Sequence, residues 1–161
     1  MMIHIHVISV GKIKETFFRQ AIEEYQKRLS KYCLLSICEV PDEKIPDKIN
    51  PSIQTELMQK EGKRIRDALP KESYIIALDL KGKEYSSEAF SSYIENLCLQ
   101  GNSHLSFIIG GTLGLDPSVL SIAHEHICFS KMTFPHQLIR IFLLEQLFRA
   151  FKISNHETYH R

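Results

Sequence analysis

Apolar and polar residues alternate at period two where the chain opens, so MIHIHVISV at 2–10 reads as a strand with His4 and His6 on one face. Gly11 ends that run. Phe18, Ala21, Ile22, Tyr25 and Leu29 then fall on a single stripe at helical spacing and predict an amphipathic helix. CLLSICEVP at 33–41 reads as a second strand, and the charged, proline-rich PDEKIPDKINPS as a loop. Ile53, Leu57, Ile65 and Leu69 leave a charged surface between them, as an exposed helix over 53–69 would. YIIALDL at 74–80 has the continuous apolar character of a buried strand, with KGK as its turn. Ser86 and Ser87 stand as caps before a helix carrying Phe90, Tyr93, Ile94 and Leu97. HLSFII is the next strand. Asp116-Pro117 supplies a cap and a first-turn proline for a short helix, and ICFS at 127–130 is a fifth strand.

Strands alternating with helices predict an α/β fold, with a largely parallel sheet covered on both faces. The last helix departs from the amphipathic pattern. QLIRIFLLEQLFRAFKI at 137–153 is apolar almost all round, interrupted only by Arg140, Glu145, Arg149 and Lys152. Such a helix must be covered on every side, and a domain of this size offers little protein to do so. A homodimer with this helix in the interface is the expected arrangement.

Composition narrows the class. With 161 residues, 43% of them hydrophobic, the chain suits one domain over 1–161. No stretch of 18 uninterrupted apolar residues occurs, and MMIHIHVISVGK lacks the basic region and cleavage site of a signal peptide. No membrane association and a cytoplasmic location are expected. Cys33, Cys38, Cys98 and Cys128 show no CxxC spacing and read as small core residues, with neither disulfide nor zinc. His4 and His6 could ligate a metal, but no acidic or cysteine partner stands near them in the sequence, so they read as solvent-facing strand residues. The formal net charge of +1 argues against a bulk electrostatic grip on nucleic acid. From Lys131 onward, however, the basic residues Lys131, Arg140, Arg149, Lys152 and Arg161 face only Glu145 and Glu157. That segment is either a local RNA-facing patch, doubled by dimerisation, or a solvated helix face.

Two loops carry the candidate chemistry. FIIGGTLGL at 107–115 is a short apolar run that breaks into Gly110-Gly111, with Gly114 following. Paired glycines after a strand let a ligand approach the main chain closely, although they also serve simple turns. The spacing is neither GxGxxG nor GxxxxGK[ST], so the ordinary dinucleotide and P-loop readings lose support. FSKMTFPHQ at 129–137 enters the last helix at Pro135, with Thr133 or Phe134 at the cap and free N–H groups beyond it. Phe129, Met132 and Phe134 beside a glycine elbow would form an apolar slot for an adenine or a sulfonium side chain. His136 and Arg140, four apart, share a helix face next to it. Tyr159-His160-Arg161 is either a frayed terminus or an RNA-facing arm that stacks, exchanges protons and binds phosphate. The residues alone leave open a nucleotide-binding enzyme of another class, with the elbow on a phosphate, and a non-catalytic ribosome-associated module.

The pattern IGGxxGL, then SKMTFPHQ, LLEQLFRAFKI and the closing YHR, together with IxVxxVGK near the start and EVPDEK at 39–44, resembles the RlmH family. Its members are small SPOUT-class methyltransferases acting on N3 of a pseudouridine in 23S ribosomal RNA. The resemblance implies a SPOUT-type α/β knot with five to six mostly parallel strands and a C-terminal trefoil knot, an exception to the rule that chains stay unknotted. It also implies S-adenosyl-L-methionine bent among the knot loops, leaving as S-adenosyl-L-homocysteine, with each site completed by a partner subunit. On its motifs, Leu78, Gly110, Phe129, Ser130, Lys131, Met132, Thr133 and Phe134 would hold the cofactor, and Gly111 and Gly114 would shape its pocket. His136 or His160 would take the acceptor's proton, and Arg140 would stabilise the anionic base ring. Tyr159 and Arg161 would reach toward the partner's pocket to position the nucleotide. With so little net charge, the expected target is the surface of an assembled ribosome, not protein-free RNA.

Overall fold

Successive side chains of a strand point to opposite faces, and the first strand uses both. In the computed structural model, which describes residues 2–159, β1 (Ile3–Val10) directs Ile5 and Val7 into the larger of two cores and Ile8 and Val10 into the smaller. His160 and Arg161 lie outside the described residues. After β1 come α1 (Thr16–Leu29), β2 (Cys33–Val40), α2 (Pro51–Ala68), β3 (Tyr74–Glu84) and α3 (Ser87–Leu99). β4 (His104–Ile109), α4 (Pro117–Ile122), β5 (Glu125–Cys128) and α5 (His136–Ser154) complete the order. The strands form one sheet in the order β2-β1-β4-β3-β5, and every neighbouring pair is parallel. This is the α/β architecture that the alternation of strands and helices predicts. No helix among the described residues is long and apolar enough to cross a membrane.

Helix starts follow local chemistry. Ser86 accepts from the Ala89 amide, and Asp116, followed by Pro117, accepts from the Ser118 amide. α2 begins two residues earlier than its apolar spacing suggests, because Asn50 caps the Ile53 amide at 2.8 Å and Pro51 opens the first turn. It is also less exposed than expected, since Glu61, Gly62 and Ile65 are buried. α5 starts at His136 with Pro135 as its N-cap, one position after Phe134 and two after Thr133, and no side chain caps it. Proline's extended backbone sets that boundary without offering an oxygen.

Two strand boundaries differ from the sequence reading. β3 does not turn at Lys81–Lys83; it runs on to Glu84 and pairs twice with β5, at Leu78↔Ile127 and again at Lys83↔Ile127. Gly82 makes the return possible, because a Cβ there would lie 2.6 Å from the His126 carbonyl carbon. β5 in turn occupies Glu125–Cys128, which leaves Phe129 and Ser130 in the loop that follows.

The larger core, between the sheet and α1, α3 and α5, is anchored by fully buried Leu143, Leu144 and Leu147 on α5. Burial of each stabilises the fold by roughly 1.5–3 kcal/mol. Every residue of α5 is buried or half-buried within the single chain, packed between α1 and α3. The domain itself thus supplies most of the cover that the sequence reading assigned to a second chain. The four cysteines are free, and only Cys33 and Cys128 are the expected core thiols; Cys38, on edge strand β2, and Cys98 are exposed.

Candidate active site

At the carboxyl ends of β3, β4 and β5 the two glycine- and phenylalanine-bearing loops face each other across a cleft of about 420 Å³. Its floor is the elbow after β4. Gly114 has φ +82°, its N–H donates to the Gly111 carbonyl at 3.0 Å, and the two residues form an isolated antiparallel bridge. That tight turn brings main chain so close to Gly110 that a Cβ would sit 3.0 Å from the Gly114 carbonyl carbon and 3.2 Å from Leu115. A Cβ on Gly111 would meet Val10 at 3.0 Å. Both positions are tight for any side chain, and Gly110 presents bare main chain to the cleft.

The second wall is the 129–134 loop. Ser130 Oγ accepts from the Met132 amide at 3.0 Å, and the Phe134 ring stands edge-on to Phe142 with centroids 5.4 Å apart. Phe129, Ser130, Met132, Thr133 and Phe134 all line the cleft, as do Leu78, Gly110, Gly111 and Gly114; Lys131 does not. Met132 is 72% exposed at the lip. The opposite lip, formed by Asp79, Leu80 and Lys81, was not anticipated from the sequence. Asp79 accepts from the Lys81 amide at 3.1 Å and lies 3.3 Å from His126 Nδ1. Asp79 and Leu80 close the YIIALDL run and Lys81 opens KGK, and taking that junction as strand end and plain turn concealed them.

His136 and Arg140 separate despite their spacing. His136 is half-buried and lines the cleft, and burial, followed by the positive charge of Arg140, holds its imidazole below the ordinary histidine range. A shift in that direction favours the neutral imidazole, the form that accepts a proton. Arg140 is only 4% exposed and lies outside the cleft. Its Nη1 donates to Glu39 at 2.7 Å and its Nη2 to the carbonyls of Val10 and Gly11 at 2.7 and 3.0 Å. Nε is buried without a partner among the described residues. The guanidinium fastens α5 to the ends of β1 and β2 and borders a second cavity shared with Lys12, Arg19 and Glu39.

The end of the described chain also turns away from its own cleft. Tyr159 donates to Glu145 at 2.9 Å, its ring stands edge-on to Phe148, and Arg149 lies over it. Glu145 is nine residues beyond His136, or about 13 Å along the helix axis. The anticipated basic patch is largely neutralised within the chain, because Arg140, Arg149 and Lys152 pair with Glu39, Glu145 and Glu157, each at 2.7 Å.

A parallel α/β sheet whose strand ends carry a main-chain-lined, apolar cleft defines an α/β domain built to hold a small molecule. Comparison with known proteins gives the family. Residues 3–160 match the family described as "Predicted SPOUT methyltransferase", and the chain belongs to that family. It is 53% identical over 158 residues to the ribosomal RNA large subunit methyltransferase H 1 of Clostridium perfringens (strain SM101 / Type A), covering 98% of this chain and 99% of that protein. Ribosomal RNA large subunit methyltransferase H of Clostridium botulinum (strain 657 / Type Ba4) is 56% identical over the same shares. Among solved structures, a probable methylase family protein from Haemophilus influenzae Rd KW20 superposes with a TM-score of 0.52 at 12% identity, over 99% of this chain and 70% of that one. That similarity supports the fold.

Proposed function

We propose that this chain is a cytoplasmic, S-adenosyl-L-methionine-dependent methyltransferase acting on N3 of a pseudouridine in 23S ribosomal RNA. The observation that carries the reading is the convergence of the Gly110 elbow, the 129–134 loop and the half-buried His136 on one cleft. The names of relatives more than half identical over the chain support the RNA substrate. The cleft suits the cofactor: Gly110 leaves no room for a side chain where main chain would meet a ligand, and Phe129, Met132 and Phe134 provide apolar contact for an adenine and a thioether.

When bound, the cofactor supplies an already activated methyl group, so the protein's task is alignment and proton removal. The Gly110 main chain and the 129–134 loop hold the donor, and Gly111 and Gly114 keep the elbow tight. Lys131, on the outer side of that loop, faces the incoming RNA. His136 accepts the N3 proton. Arg140 acts as a positioning residue, holding the first turns of α5, and with them His136, against the ends of β1 and β2. Tyr159 lies away from its own cleft, against Glu145 and Phe148, and the segment containing Tyr159, His160 and Arg161 serves the cleft of a partner subunit in a homodimer, as the family resemblance implies. The same reading takes the chain as one domain with the C-terminal trefoil knot of its family, and an assembled ribosomal surface as its target.

The test is incubation with labelled S-adenosyl-L-methionine and ribosomes from a strain lacking the gene, followed by mass-spectrometric mapping of the modified nucleoside. Label at pseudouridine N3, greater on ribosomes than on protein-free RNA, is the expected result. Tight binding of NAD or ATP without S-adenosyl-L-methionine would overturn it.

A further inference from the structure

The densest group of imidazoles in the described chain lies far from the cleft. His4 and His6, two apart on β1, project from the same face, and the β1–β4 register sets His4 beside His104, the first residue of β4. Farther along this face are Ile8 and Val10, where α2 and α4 cover the sheet. The N-terminal half of the face remains open: Leu34, paired with His4 on β2, is 48% exposed, and Ser36, paired with His6, is exposed as well. The three histidines are half-buried on this shelf, where the sequence reading placed two of them in solvent.

Their ligand atoms all lie within 4.8 Å of one another, and His6 Nε2 is 3.1 Å from His104 Nδ1. The rings of His4 and His104 stack with centroids 4.5 Å apart. Among the described residues, no carboxylate is hydrogen-bonded or ion-paired to any of the three. Three cationic rings at these distances would repel each other. The rings are stacked and His6 is hydrogen-bonded to His104, so binding an ion would exchange that hydrogen bond for coordination by the ring nitrogens. Tetrahedral coordination with Zn–N bonds of about 2.0–2.1 Å separates the nitrogens by about 3.3 Å. Side-chain rotation on strands of fixed register closes the remaining gap. Imidazole is a good ligand for zinc, nickel and copper, whereas magnesium and calcium require oxygen.

We propose that His4, His6 and His104 bind a divalent transition-metal ion of the zinc class through three protein nitrogens, with a further position open to solvent. The ion ties β1 to β4 at the end of the sheet opposite the glycine elbow: His104 opens β4, and Gly110 follows its last residue. The proposal is independent of the methyl-transfer reading.

The test uses the full chain, freed of metal by chelation, titrated with zinc by calorimetry and with cobalt by visible absorption. One equivalent per chain, a tetrahedral cobalt spectrum and a melting temperature raised by zinc are expected. His6→Gln and His104→Gln should each weaken zinc binding by at least about tenfold, and together abolish the cobalt spectrum. His4→Gln, on the same open shelf, gives an equivalent comparison if the double variant does not fold. Absence of saturable binding by the unsubstituted chain, or unchanged affinity in the variants, overturns the proposal.

Discussion

One helical turn separates His136 from Arg140, yet the two residues belong to regions built on opposite principles. The cleft around His136 is walled by main chain and apolar side chains, with few charged groups at its lip. The cavity around Arg140 mixes the charged side chains Lys12, Arg19, Glu23 and Glu39 with aliphatic ones, and Arg140 itself is held by Glu39 and two carbonyls. A buried guanidinium in that setting maintains geometry, because Nη1 and Nη2 already donate to Glu39 and to the carbonyls of Val10 and Gly11. A half-buried neutral imidazole beside an open cleft retains a lone pair for an incoming group. Residue type and helical spacing alone would have given the two a shared catalytic role.

Substitutions can break this contrast. The largest effect is expected from His136→Gln, which should slow methyl transfer by about 10²-fold or more in single-turnover measurements. Cofactor affinity should change by less than about threefold. A retained rate would move proton acceptance to another group, with His160 the next to test. Arg140→Met should instead act on stability, lowering it by about 2–3 kcal/mol in urea unfolding as Glu39 and the carbonyls of Val10 and Gly11 lose their donor. Gly110→Ala, with its Cβ 3.0 Å from main chain, should weaken cofactor binding by about tenfold, equivalent to about 1.4 kcal/mol, in calorimetry. Tyr159→Phe removes only the hydrogen bond to Glu145 and should lower stability by about 0.5–1.5 kcal/mol.

The pH dependence sharpens the same contrast. Because the His136 pKa is lowered in the fold, its stabilising contribution is present above the unfolded value of about 6.5 and is lost as pH falls through the folded value. Stability measured against pH should therefore flatten on the acid side in His136→Gln. Transfer should be level through neutral pH and fall only below the ordinary histidine range. In Arg140→Met, which removes a nearby positive charge, that fall should move to higher pH.

Local rules made much of this legible. The period-two opening gave β1, Ser86 and Asp116 gave two helix starts, and the glycine elbow and 129–134 loop gave two walls of the cleft. What escaped was set by pairing across distance. The charged, glycine-containing stretch after Leu80 has no local reason to remain a strand; it does so because Gly82 permits contact with β5, more than forty residues away. His4 and His6 lacked a nearby sequence partner, and theirs arrives through the register of β4. Spacing placed His136 and Arg140 on one face, but packing against β1 and β2 determined which of them meets the cleft.

The double pairing of β3 with Ile127 also governs how the cleft can move. The lip formed by Asp79, Leu80 and Lys81 is hinged at neither end, since both its flanks are fastened to one residue of β5. Its conformational freedom is surrendered during folding, before any ligand arrives. The facing 129–134 loop is held by a local turn at Ser130 and has no strand pairing, so any adjustment to a ligand is expected from that jaw and not from the lip.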